Sequence, residues 1–234
     1  MAVPATADEP VAHTAPLALP SGPEWTDLAL NRPGQGVRAQ AASLLADMKA
    51  QSKVGTFLKR AFDTKTDERA FRVGAGGEES VGARLERLTK QGWYVLHSIP
   101  VGSRGSDIDH LVITKGGVYP VNTKRHPGGK VWVGERAILV NGQKTDYLRN
   151  SRYEGERVRK ALLAHSGVEV PVRAVLVFLT GTVLPQVTIK QMPGDVLVLD
   201  RMDVPGAFKR APERLTPEMI EQVYEVARRS TTWT

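Results

Sequence analysis

Two short stretches constrain this chain more than any others. Asp107-Ile108-Asp109-His110 runs directly into Leu111-Val112-Ile113, and Val118-Tyr119 leads into Val121-Asn122-Thr123-Lys124. Gly116-Gly117 lies between them, so the segment reads as a strand, a tight turn and a returning strand. Side chains two apart share a strand face, which points Asp109, Leu111 and Ile113 one way and places Asn122 and Lys124 together. A hairpin that joins those faces brings one carboxylate, one amide and one ammonium to a single spot. A carboxylate can hold a hard cation, and a lysine can stabilise charge building on a phosphate in a transition state.

A third piece lies upstream. Gly74-Ala75-Gly76-Gly77 opens an amphipathic helix through about Gln91, with Val81, Leu85 and Leu88 at spacings of four and three. Glu78 falls three residues before Val81 on that inward stripe, whereas Glu79 points off it. An acid in a first turn also complements the helix dipole, but its place on the buried stripe ahead of the strand pair favours a role in the site. The glycines do not read as a dinucleotide loop, because no suitable strand precedes them.

Gly77-Glu78, Val81, Leu85, Leu88, the run Asp107 to Ile113, Gly117-Val118 and Thr123-Lys124 together resemble the nuclease-related domain, NERD, over roughly residues 73–190. That family is related to the restriction-endonuclease-like superfamily, whose signature is a helix acid, a strand Asp and a Glu-x-Lys on the next strand. By this resemblance Glu78 matches the helix acid, Asp109 the strand Asp and Lys124 the lysine. Asn122 stands where the Glu of Glu-x-Lys is commonly found. The resemblance implies an α/β fold with a restriction-endonuclease-like mixed central sheet flanked by helices, an αβββαβ core. It also implies a catalytic set of Glu78, Asp109, Asn122 and Lys124, with Mg²⁺ or Mn²⁺ held by Asp109 and Glu78. Asp107 is open to two readings, a second metal ligand or a solvated turn acid. His110 is open to a catalytic or a structural role.

Composition agrees with a polyanionic partner. The formal charge is +7 and the isoelectric point about 9.7, which favours nucleic acid or an anionic surface. There are no cysteines, excluding disulfides, thiolate chemistry and Cys-based zinc sites. No run approaches the roughly 18 apolar residues of a membrane span. The N-terminus lacks a positive leader with a continuous apolar core, so the expected location is cytoplasmic.

Along the chain, residues 1–36 are expected to form a flexible arm in which Trp25, Leu28 and Leu30 can dock, and 37–72 a helical extension. The nuclease-related domain occupies 73–190, and 191–234 appends a strand and a helix that starts with Pro217 at its first position. Inside the domain, Trp93 to Leu96 is a strand. Pro120 calls for a bulge or an exposed edge, since proline cannot donate to a sheet ladder. Val131-Trp132-Val133 and Ala137 to Val140 form a second hairpin, with Trp132 as a core aromatic or a base-stacking surface. A helix from about Thr145 to Ser166 turns Leu148, Val158 and Leu162 inward, and Val172 to Phe178 reads as a strand buried on both faces. Expected nucleic-acid contacts are Arg104 in a loop above the site, Arg125 and Lys130 in the Gly-rich loop after Lys124, and Arg149 and Arg152 on the helix.

The leading expectation is a divalent-metal-dependent DNA phosphodiesterase with an atypical Asn. A catalytically silent nucleic-acid-binding module and an intracellular protein-interaction scaffold are the alternatives. DNA is the expected partner, no membrane is, and a monomer and a homodimer both remain open.

Overall fold

The computed structural model describes residues 24–39, 41–43, 76–101, 106–181 and 186–234. A helix described over 76–85, here α1, tightens into a 3-10 turn at Glu86–Gln91 and ends on Gly92, whose φ of 74° favours a residue without a Cβ. Three antiparallel strands follow: β1 (Tyr94–Val101), β2 (Ser106–Thr114) and β3 (Gly117–Arg125). β4 (Val131–Val133), β5 (Ile138–Val140) and β6 (Gln143–Lys144) come next, then helix α2 (Tyr147–Ser166) and β7 (Ala174–Leu179). β8 (Val187–Ile189), β9 (Val196–Asp200) and helix α3 (Pro217–Ala227) complete the body.

The central sheet has the order β1-β2-β3-β7-β9, antiparallel through β3 and parallel from β3 to β9. It is therefore the expected mixed sheet, with the αβββαβ order in α1, β1, β2, β3, α2 and β7. A parallel step from β3 to β7 demands a long crossover, and α2 supplies it. A second sheet, β6-β5-β4-β8, holds the expected hairpin and adds Val187–Ile189, a strand too short to stand out in sequence.

Alternation along the strands assigns the layers. Val112, Val121, Val175 and Val177 pack under Val81 and Leu85 of α1 and Leu88 of the 3-10 turn, each of these three residues fully buried. Such burial stabilises by roughly 1.5–3 kcal/mol per side chain. On the other face Leu111 and Ile113 meet Val158 and Leu162 of α2 and Ile220 and Val223 of α3. Leu176 and Phe178 pack with Leu148 of α2 and with Val131, Val133 and Ile138 of the second sheet. β7 is buried at every position, as its continuous apolar run requires.

Three expectations need correction. Pro120 lies in central β3 opposite Leu111, with neither a bulge nor an exposed edge. The Val118 N–H donates to Pro171 O, so strand periodicity aims the Pro120 nitrogen at the same neighbour. There the β3–β7 ladder is interrupted, between the Val118–Val172 bridge and the Val121–Val175 pair, and no donor is called for. Trp132 is not a core aromatic: Val131 and Val133 take the buried face, leaving its ring 39% exposed and folded over Gly134. The last segment is not an appendage, because β9 is the edge strand of the central sheet and α3 packs in the same core as α2.

Most of the expected helical extension lies outside the described residues. The described part of the expected arm is docked: Leu28 is buried, and Asp27 pairs with Arg228 beyond the end of α3. Among the described residues no helix is long and apolar enough to cross a membrane.

Candidate active site

The sheet opens around Asp109. Between β1 and β2 the pairs run through His97–His110 and resume at Ile99–Ile108, skipping Ser98 and Asp109. Ser98 has φ of 47°, a conformation a non-glycine residue adopts at a cost. It is held there by the Asn31 side chain, which donates to Ser98 O at 2.9 Å, and by its own hydroxyl donating to Arg32 O at 3.1 Å. On the other side the β2–β3 ladder stops at His110–Val121. The carboxylate of Asp109 fills the break: its Oδ2 accepts the Thr123 N–H at 2.6 Å. Asp109 thus sits in a gap in both ladders while remaining only 8% exposed.

That opening lets both layers reach one cavity of about 590 Å³, lined by Glu78 of α1, Asp107 and Asp109 of β2, Asn122 and Lys124 of β3, and Glu154 of α2. At Gly77 α1 lies close against β3, where an added Cβ would stand in ordinary contact with Thr123 Cγ2 at 3.5 Å and Arg125 Cβ at 3.4 Å. Glu78 is buried with Oε2 lacking any hydrogen-bond partner. Asp107 is half-buried against Gly36, where an added Cβ would fall 2.0 Å from Asp107 Oδ2. Lys124 donates from Nζ to Asn122 Oδ1 and stands 5.3 Å from the centre of the Tyr147 ring. Asn122 in turn donates from Nδ2 to Glu154 Oε2 at 3.2 Å.

Crowding of acids around one ammonium sets the electrostatics. Burial, followed by the charges of Asp109 and Asp107, pushes Glu78 up to about 8, with Lys124 and the Gly34 backbone opposing. Burial raises Asp109 to about 6 against the pull of Lys124 and the Thr123 N–H. Glu154 is raised to about 7 by burial and then by Asp109, and burial also raises Asp107. Buried carboxylates of this kind are costly as bare anions and become favourable when a cation joins them.

Glu78, Asp109, Asn122 and Lys124 therefore line one cavity, which the parting of the sheet opens to both layers. Asp107 lines the same cavity and is no solvated turn acid, because the chain from Asn31 to Gly36 covers that end of β2. His110 is structural: it is wholly buried, with Nδ1 at 2.8 Å from His97 Nδ1, and His97 contacts Glu86 at 2.8 Å. Burial lowers the pKa of both rings. Of the cations expected to meet nucleic acid, Arg149 lines the cavity, while Arg152 is tied to Asp195 by bonds of 2.6 and 3.1 Å. Arg125 and Lys130 are exposed outside the cavity lining, and Arg104 lies outside the described residues.

Sequence reasoning passed over four residues of α2 that line the cavity, Asn150, Tyr153, Glu154 and Arg157. The signal for Glu154 was present. It lies four residues before buried Val158 and eight before buried Leu162, an acid on an inward stripe, which is the argument that singled out Glu78.

No solved structure matches the chain. An uncharacterised protein of Bacillus anthracis is 40% identical over 58 residues, covering 24% of this chain and 27% of that protein. The family model described as the nuclease-related domain matches residues 73–179, from just ahead of α1 to the end of β7. Residues 73–179 thus form a nuclease-related (NERD) domain, and the helix acid, strand Asp and strand Lys that line one cavity all lie inside that span.

Proposed function

We propose that this domain is a divalent-cation-dependent phosphodiesterase acting on nucleic acid, with DNA as its substrate. One observation carries the reading above the others: Glu78, whose Oε2 is buried without a hydrogen-bond partner, lines the cavity shared with Asp109 and Lys124. A carboxylate oxygen left so is strongly unfavourable unless something positive joins it. The donor set is all oxygen, which suits Mg²⁺ or Mn²⁺. Among the described residues no three such side chains close into a cage, so a cation here would complete its shell with water, as Mg²⁺ usually does.

Asp109 and Glu78 would hold the cation, which supplies a polarised phosphate and a water acidic enough to attack near neutral pH. Lys124 places its ammonium beside the same carboxylates, where charge grows on the phosphate oxygens as the water oxygen bonds to phosphorus and the ester oxygen leaves. Arg149 and Arg157 stand at the cavity on one side of α2, placed to hold the flanking phosphates.

The test is cleavage of plasmid and linear DNA by the purified chain with Mg²⁺ or Mn²⁺, with Asp109→Asn as the control. Cation-dependent cleavage lost in the variant supports the reading. A second reading, a silent nucleic-acid-binding module, draws on the bond that engages Lys124 with Asn122. It expects salt-sensitive DNA binding with no cleavage by either protein.

A further inference from the structure

The strand position that precedes Lys124 by two carries an amide, yet a carboxylate lies against that amide. We propose that Glu154 supplies, from helix α2, the third acid of this site, standing in for the charge that Asn122 leaves off the strand; the proposal rests on the cation-dependent reading above.

The geometry is a short chain of polar groups. Glu154 Oε2 accepts from Asn122 Nδ2 at 3.2 Å, and Asn122 Oδ1 accepts from Lys124 Nζ. A carboxylate and the ammonium are thus joined through one amide. Glu154 opens on the cavity that holds Glu78, Asp107 and Asp109. Its direction is not adjustable, because Leu148, Ser151, Val158 and Leu162 are buried and fix the rotation of α2 about its axis. One helical turn below Asn150 and one above Val158, Glu154 must point at β3. The unpartnered Glu78 Oε2 is the independent sign that this cavity takes a positive ligand.

A purely structural Glu154 would serve to tie α2 to β3, and Gln would serve equally, since its Oε1 also accepts from the Asn122 amide. Charge and hydrogen bond can therefore be separated. Mn²⁺ alone is titrated into the full chain by calorimetry, with thermal melting to confirm folding. Glu154→Gln should keep the fold and weaken Mn²⁺ binding by about 10–100-fold. Asn122→Glu in the Glu154→Gln background returns the charge to the strand and should restore most of the affinity. Asn122→Glu by itself sets two carboxylates side by side and should lower the melting temperature of the cation-free protein.

Unchanged Mn²⁺ affinity in Glu154→Gln overturns the proposal and leaves the cation-dependent reading intact. So does a folded double variant that regains nothing. If neither the wild type nor Asn122→Glu binds Mn²⁺, the cation-dependent reading falls and this proposal falls with it. Should Glu154→Gln fail to fold, Glu154→Asn, which also removes the charge and keeps an amide acceptor, carries the same comparison.

Discussion

Asp109 accepts, through Oδ2, the backbone N–H of Thr123 at 2.6 Å, just beyond the last β2–β3 pair. A side chain thereby satisfies the donor that a longer ladder would have used, and the sheet can part without leaving that N–H bare. The aspartate is structural through that oxygen, and under the proposed function its other oxygen would meet the cation. Asp109→Asn keeps an acceptor at that place and should fold while losing DNA cleavage ~100-fold or more. Asp109→Ala should in addition destabilise by about 1–3 kcal/mol, the cost of an unsatisfied buried donor. Melting temperatures of the two variants check the difference, and equal melting would refute the structural half of the role.

The site carboxyls make the cation-free protein less stable as pH rises. Glu78 moves from 4.5 to about 8, Asp109 from 3.8 to about 6 and Glu154 from 4.5 to about 7. Because the folded values are raised, the fold retains protons that the unfolded chain has released. Their relative stabilisation is full below the unfolded values and is lost as pH climbs through the folded ones. Without added cation, Glu78→Gln should melt close to wild type near about pH 5 and increasingly above it toward about pH 8.5. A gap that stays constant with pH would contradict the burial-driven shift.

DNA binding should depend on the cations at the cavity. Charge reversal at Arg149 and Arg157, which line it, should flatten the salt dependence of binding by about 0.9 in log–log slope for each phosphate no longer neutralised. Arg152→Glu should change the slope little, since Arg152 lies outside the cavity lining and is bidentate to Asp195, whereas Arg149 lines the cavity and meets Asp146 through a single contact of 3.0 Å. Fluorescence anisotropy with a short duplex at several salt concentrations decides it. Equal effects from all three positions would mean that the cavity is not where the phosphates bind.

Asp27 and Arg228 fasten the chain ahead of the domain to the end of α3, with Arg228 Nε donating to Asp27 Oδ1 at 3.1 Å. The guanidinium lowers the Asp27 pKa below 3.8. This contribution is present above the unfolded value and is lost as pH falls through the folded one. The pair is partly exposed, so Asp27→Asn should cost no more than about 1 kcal/mol at neutral pH and progressively less in acid. Melting of wild type and variant from neutral to strongly acidic pH tests both the size and the sign.

Much of this was legible in the residues themselves. Period-two alternation around Asp109 and Lys124 named the hairpin and the shared face, and the spacing of Val81, Leu85 and Leu88 turned Glu78 inward. Those are local rules, fixed by backbone geometry within a strand or a helix turn. What lay beyond them was set by neighbours distant in sequence. Pro120 is tolerated because the β3–β7 ladder happens to be interrupted beside it, and Trp132 is exposed because Val131 and Val133 take the buried face. The parting of β2 and β3, the covering of Asp107 by Gly36 and the contact between Glu154 and Asn122 are tertiary facts of the same kind. Sequence by itself determined which side chains could share a face. Only the packing of α1 and α2 on opposite sides of an opened sheet decided that an acid from each would enter one cavity, because a helix is aimed by the whole core it buries and not by the residues of its own turn.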